Sequence, residues 1–203
     1  MGYNMPMSGR GFTLIELVVC IAIFAMMTAL VVAKYGNFNQ SVLLTDLAYD
    51  VAVTIRTAQT FGLSVQSTQT GTNPFNYSYG VDFCASASGC SAGSIQIANN
   101  QIVLFTDTNG NGTYDQTDSQ QSIYTLTRGA VISGFCFTDS CTAPLVGATR
   151  LDVVFKRPNP DAVMNRYRGS WASAGNYAGI IITGTDKSTR TIIVRSTGQV
   201  SVQ

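Results

Sequence analysis

The sequence predicts an α+β protein in which one long N-terminal helix precedes an antiparallel β-sheet domain. Three observations carry that expectation. Residues Phe12 to Ala33 form an apolar run of 22 positions broken by a single charge, Glu16. Beyond it, Leu44, Leu47, Val51, Ile55 and Ala58 recur in steps of three and four, the spacing of one buried helical stripe. From residue 63 onward, short runs rich in β-branched and aromatic residues alternate with Gly-, Asn- and Pro-containing turns.

The apolar run comes first. At about 1.5 Å per residue it makes a helix of about 33 Å, enough to cross a bilayer. A secretory signal places its cleavage site after a shorter apolar core. Here the polar punctuation, Ser8-Gly9-Arg10-Gly11, comes before the run. Arg10 on that flank favours a cytoplasmic N-terminus with the rest of the chain outside. Glu16 needs a reason, because a carboxylate in hydrocarbon costs several kcal/mol and is usually paired. Cleavage between Gly11 and Phe12 would create an α-ammonium one helical turn away, able to pair with Glu16 of the same chain or of a neighbour. The alternative is a tolerated acid near the membrane interface.

The run Arg10-Gly11-Phe12-Thr13-Leu14-Ile15-Glu16-Leu17-Val18-Val19 resembles the class III signal of type IV prepilins and pseudopilins. The resemblance implies a pilin-like fold, with a transmembrane half-helix and an amphipathic half-helix packed on an antiparallel sheet. It implies that residues 1–11 are a leader peptide ending at Gly11, and that prepilin peptidase exposes and N-methylates Phe12. Glu16 is then the acid that recruits and registers the subunit in a filament. The implied partners are other pilin or pseudopilin subunits, the peptidase, the cytoplasmic membrane and an assembly platform.

The following segment reads as a second helical half. Residues 12–34 form the transmembrane or filament-core half, and 35–62 the amphipathic half. Asp46, Asp50, Arg56 and Gln59 fall between the apolar positions. Gly36 and Asn37 mark a weak point between the halves, and Gly62 reads as a C-terminal cap.

Residues 63–203 form the β-rich head. Gln66 to Asn76 reads as a loop. Strands are expected at 77–83, 94–98, 101–106, 122–127, 131–137, 151–155, 177–183, 189–195 and 199–202. Asn99-Asn100 and Thr197-Gly198 carry hairpin-type turn signals. Lys156 to Gly175 contains two prolines and no clean period, so it reads as a long loop. The C-terminal run from Gly179 to Val200, ending in Ser196-Thr197-Gly198-Gln199-Val200, is similar to that of the GspH/FimT family of pseudopilins and minor pilins.

Composition narrows the chemistry. The chain has 12 Lys+Arg, 11 Asp+Glu and no His, a net charge of +1. Absence of His removes His-based triads, His metal ligands and imidazole switches. Glu16 is the lone Glu, so paired-carboxylate catalysis would rest on Asp alone. No nucleophile–base pair is visible, and a non-enzymatic role is expected. Gly179-x4-Gly184 with Lys187 has the wrong spacing for a phosphate loop, and a strand-like run separates its glycines.

Three features of the head invite binding hypotheses. Asp107, Asn109, Asn111, Thr113, Asp115 and Asp118 place oxygen donors in a calcium-loop rhythm with Gly112 at the sixth position. The competing reading is a polar β-hairpin loop of Asn-Gly turns. Cys84, Cys90, Cys136 and Cys141 form two close pairs, which suit local disulfides in an oxidising compartment. A four-thiolate zinc site is the rival. Finally, residues 150–203 carry 8 basic and 3 acidic groups. Lys156, Arg157, Arg166 and Arg168, with Arg150, Tyr167 and Trp171 close by, could track a phosphate backbone and stack on bases. The functional alternatives are therefore an assembling minor pilin or pseudopilin, a DNA-binding or adhesive minor pilin acting in DNA uptake, and an anchored domain that never assembles.

Overall fold

The structure is a computed structural model that describes residues 11–64, 77–139, 141 and 143–203; for 34–39 it describes the helical backbone alone. Two compact units result, residues 1–39 and 40–203. The expected loop 66–76 and Arg10 lie outside the described residues.

One helix, α1, spans Leu14–Leu63 and belongs to both units. In the first unit, the stretch Leu14–Ala33 is long and apolar enough to cross a membrane, and none of it is buried within the chain. The helical backbone continues through Gly36 and Asn37, where a weak point was expected.

In the second unit α1 buries the stripe its periodicity predicts. Leu44, Leu47, Ala48, Val51, Ala52, Ile55 and Ala58 are all buried. Burying an aliphatic side chain such as Ile55 contributes roughly 1.5–3 kcal/mol. Polar contacts fix the docking. Tyr124 donates to Asp50 Oδ2 at 2.9 Å, and Gln59 Nε2 donates to the carbonyls of Pro160 and Gly198. Burial and the Asp50 contact push the Tyr124 phenol up to about 12.

Twelve strands follow: β1 (Ser78–Cys84), β2 (Cys90–Ala92), β3 (Ile95–Ile97), β4 (Gln101–Asp107), β5 (Ser119–Thr125), β6 (Val131–Cys136), β7 (Arg150–Phe155), β8 (Ala162–Tyr167), β9 (Trp171–Ser173), β10 (Tyr177–Thr183), β11 (Thr189–Arg195) and β12 (Val200–Val202). They build a six-stranded sheet ordered β5-β4-β1-β7-β8-β9, a four-stranded sheet ordered β12-β11-β10-β6, and the small hairpin β2-β3. Every pairing is antiparallel.

Strand alternation gives the six-stranded sheet two different faces. Val81, Phe83, Ile102, Leu104, Leu151, Val153 and Phe155 join α1 and the four-stranded sheet in the main core. The opposite face carries Cys84, Val103, Phe105 and Val154, packed against Cys90, Ala92, Ile97 and Tyr114 from the β2-β3 hairpin and the β4–β5 loop.

Several expectations need correction. The segment 156–175 is not one long loop, since β8 and β9 lie within it. Their ladder to β7 supplies the order that local composition does not show. The three-residue β2 was too short to read from sequence, and β5 begins three residues before its expected start at Ser122. Asn99-Asn100 does form a turn, but it joins strands of different sheets rather than a hairpin. Gly62 is inside α1, not beyond its end. Its role is close approach: a Cβ there would lie 2.6 Å from the Phe155 carbonyl oxygen.

Candidate functional site

The N-terminal candidate is built from one helical turn. Thr13 Oγ1 accepts the Glu16 backbone N–H at 3.3 Å. In return Glu16 Oε2 accepts Thr13 N at 3.3 Å and Thr13 Oγ1 at 3.1 Å. This is a capping box, in which Thr13 and Glu16 reciprocally satisfy amide groups that the first helical turn leaves free. Sequence reasoning fixed on Glu16 and missed Thr13, although Thr-x-x-Glu before an apolar run is the signal for this motif. A carboxylate at a helix N-terminus is also favoured by the helix dipole. Phe12 stands 81% exposed immediately before the box, with Gly11 preceding it and open space where a Gly11 side chain would be. The site thus presents an accessible Gly11–Phe12 bond, a capped acid one turn away, and an uncovered apolar helix.

In the head, the β4–β5 loop holds the calcium candidates. Asp107 accepts the Gly110 and Gly112 amides at 2.8 and 3.0 Å. Asn109 Oδ1 accepts Asn111 N, and Asn111 Oδ1 accepts Thr113 N and Thr113 Oγ1. Asp115 Oδ2 accepts the side-chain amides of Asn109 and Asn111, and Asp118 accepts Thr108 N and Asp115 N. Burial pushes the Asp107 and Asp118 carboxyls up. For Asp115 burial acts in the same direction, but hydrogen bonds from Thr117, Asn111 and Asn109 outweigh it and bring the carboxyl below its ordinary range. Asp107, Asn109, Asn111, Asp115 and Asp118 could hold a cation only by exchanging some of these hydrogen bonds for metal contacts. Among the described residues no cluster of three or more His, Cys, Asp or Glu is arranged as a metal site.

Beneath that loop lies a buried ionic cluster that sequence reasoning did not find. Arg150 Nε and Nη2 donate to Asp82 Oδ1 at 3.0 and 2.7 Å, while Arg150 Nη1 donates to the Ser91 carbonyl and Nη2 to the Tyr114 carbonyl. Asp152 Oδ2 accepts Tyr114 N at 2.9 Å. Asn165 Nδ2 adds a bond to the Gly112 carbonyl. The cluster docks the β4–β5 loop onto the sheet. The one available signal was Asp82 and Asp152, polar residues in the middle of apolar strands.

This placement corrects the basic-segment hypothesis in part. Arg150 is buried in an ion pair and is not free for a phosphate backbone. Arg166 and Arg168 lie on β8 and the turn after it, with Arg166 over the Phe137 ring at 5.4 Å. Lys156 and Arg157 follow the end of β7. Tyr167 and Trp171 pair edge to face at 5.3 Å.

The four head cysteines form disulfides Cys84–Cys90 and Cys136–Cys141, with Cα separations of 5.8 and 5.3 Å. Both thiol pairs are consumed, so the four-thiolate zinc alternative falls. Cys20, in the apolar helix, is free.

The described residues thus combine an uncovered apolar helix, a capped acid in its first turn and an antiparallel β-sheet head. Residues 7–32 match the family model described as the prokaryotic N-terminal methylation motif, which indicates a pilin-like protein of the kind processed by prepilin peptidase. No curated protein and no solved structure matches the chain.

Proposed function

We propose that this chain is a minor pilin or pseudopilin of GspH/FimT type, cleaved after Gly11, N-methylated at Phe12 and assembled into a type IV pilus or a type II secretion pseudopilus. The carrying observation is the uncovered stretch Leu14–Ala33, none of it buried in its own chain, headed by the Thr13–Glu16 capping box. Before assembly the stretch sits in the cytoplasmic membrane with the head outside. In the filament, neighbouring helices cover it. Glu16 then meets the Phe12 ammonium of a neighbour in a low-dielectric core, where a charge pair is strong and intolerant of misplacement. The role is structural and mechanical, without turnover.

The test has two parts. The mass of the protein from native membranes should correspond to a chain beginning at N-methyl-Phe12; a chain retaining residues 1–11 in cells with active prepilin peptidase refutes processing. Glu16→Ala should be cleaved normally yet fail to enter filaments. Normal incorporation would refute the pairing role and leave the acid serving only the helix cap.

A further inference from the structure

On the sheet face opposite α1, a cavity of about 410 Å³ opens between the β1–β2 loop and the β8–β9 hairpin. Its lining includes Ser86, Cys90, Ser91, Arg150, Tyr167 and Trp171. We propose that this cavity is a preformed binding site for a neutral saccharide ring.

Rigidity is the first argument. The Cys84–Cys90 disulfide closes the β1–β2 loop. Arg150 is locked by Asp82 and by the carbonyls of Ser91 and Tyr114. Its guanidinium lies 5.1 Å from the centre of the Trp171 ring, so the buried cluster also positions the aromatic wall. Tyr167 and Trp171 are cross-strand partners on β8 and β9. A site whose walls are already fixed loses little entropy on binding.

The lining chemistry is the second argument. Trp171 keeps 37% of its surface exposed. An aromatic wall of this kind packs against the C–H face of a sugar ring. Ser86 and Ser91 line the other side, the Ser86 hydroxyl sharing a 2.9 Å hydrogen bond with that of Ser88. Ser91 Oγ accepts Gln96 Nε2 at 2.8 Å, which leaves its O–H free to donate. The volume falls in the lower part of the range for small-molecule sites, about 300–1,000 Å³, which suits one or two sugar rings.

Charge selects the class. Among the described residues Arg150 is the one charged member of the lining, and Asp82 already neutralises it at 2.7 Å. An anion would find no uncompensated charge here, whereas a hydroxylated neutral ring needs none. Position is the last argument. The cavity lies across the six-stranded sheet from the α1 stripe, so its access does not depend on the helix that the assembly reading commits to a filament. Neither the proposal nor its test rests on Glu16.

Trp171 is the single tryptophan of the chain, so emission from the full-length protein reports on this wall alone. The protein, held in micelles free of sugar headgroups, is titrated with methyl β-glucoside, methyl β-galactoside and methyl N-acetyl-β-glucosaminide. Glucuronate and inorganic phosphate serve as anionic probes. A neutral glycoside should change Trp171 emission saturably at millimolar concentration, with neither anion competing. Tyr167→Ala should weaken that binding by about tenfold, the loss expected of one aromatic contact. Ser86→Leu should fill the cavity and abolish binding without lowering the melting temperature. The proposal fails if no neutral glycoside gives a saturable response, if the response persists unchanged in both variants, or if an anion binds more tightly than every neutral probe.

Discussion

Asp82 and Asp152 stand directly opposite one another on β1 and β7, yet Arg150 bonds only the first. Its Nη2 is 2.7 Å from Asp82 Oδ1 and 4.0 Å from Asp152 Oδ1. Both carboxylates are fully buried, and each keeps one oxygen without a hydrogen-bond partner, Asp82 Oδ2 and Asp152 Oδ1. One arginine cannot neutralise two buried carboxylates. A proton on Asp152 satisfies the charge balance and can be donated towards Asp82.

The first prediction concerns pH. Burial, then the facing Asp82, push the Asp152 carboxyl well above its ordinary range. Arg150 opposes this, the Tyr114 amide also favours the charged form, and Asn165, across from Asp152 on β8, carries no charge. A carboxyl raised in the folded state stabilises the fold fully below its unfolded value and loses that contribution as pH rises through the folded one. Asp152→Asn keeps the neutral form at every pH. The unfolding free energy of the variant should therefore gain on that of the parent as pH rises above the ordinary carboxylate range, by up to about 1.4 kcal/mol per pH unit, read from melting curves across pH. A constant difference across that window refutes the protonated pair. Asp82→Asn should instead cost about 3–5 kcal/mol where Asp152 is protonated, because it strands a buried guanidinium, and less as pH rises and Asp152, 4.0 Å from Arg150, ionises to balance it.

The second prediction concerns calcium and the β4–β5 loop. The amides of Gly110, Gly112, Asn111 and Thr113 already orient Asp107, Asn109 and Asn111. Binding then requires the Asn109 and Asn111 side chains to release Asp115 and turn their oxygens inward. Calcium at ten times its dissociation constant should stabilise the head by about 1.4 kcal/mol. Asp107→Asn should remove the effect. Because Asp107 and Asp118 hold protons more tightly than free carboxyls do, calcium affinity should fall as pH drops through their raised values. A melting temperature indifferent to millimolar calcium at neutral pH assigns the loop a purely structural role.

Much of this protein was legible because its strongest signals are local. The run from Phe12 to Ala33 and the stripe through Leu44 and Ile55 depend only on helical period. Cysteine spacing anticipated both disulfides because each closes a short loop. What escaped was set by distant partners. β8 owes its order to β7, and nothing in Ala162–Tyr167 announces that ladder. Arg150 read as one more cation of a basic segment, because its partner Asp82 lies 68 residues away. Gly62 read as a helix cap, because the Phe155 carbonyl beside it belongs to another strand.

The third prediction tests the Cys136–Cys141 disulfide through a neighbour. Gly179 on β10 faces Cys136 across the ladder. A Cβ at Gly179 would collide with both sulfurs. Gly179→Ala should therefore oppose closure of this bond and cost about 2 kcal/mol, the loop-entropy worth of a small disulfide. Thiol counting on the native protein should find Cys136 and Cys141 reactive in the variant and protected in the parent. Full protection with an unchanged melting temperature would mean that the sheet relaxes around the added methyl.

The fourth prediction separates two readings of Gly62. A glycine that caps a helix adopts a left-handed backbone, and replacing it strains that backbone. Gly62 is instead helical, so by backbone preference alone Gly62→Ala should stabilise α1 by about 0.8 kcal/mol. Packing opposes this. The new methyl would lie 2.6 Å from the Phe155 carbonyl oxygen and 2.9 Å from its Cβ, and Phe155 is a fully buried residue of a central strand. Backbone can yield only by moving α1 away from the sheet. Overpacking of this kind costs about 1–3 kcal/mol, so the net effect should be destabilising. Gly62→Ser should be worse, because its hydroxyl would enter the same contact. If Gly62→Ala instead raises the melting temperature, the last turn of α1 is less tightly seated on β7 than these distances require.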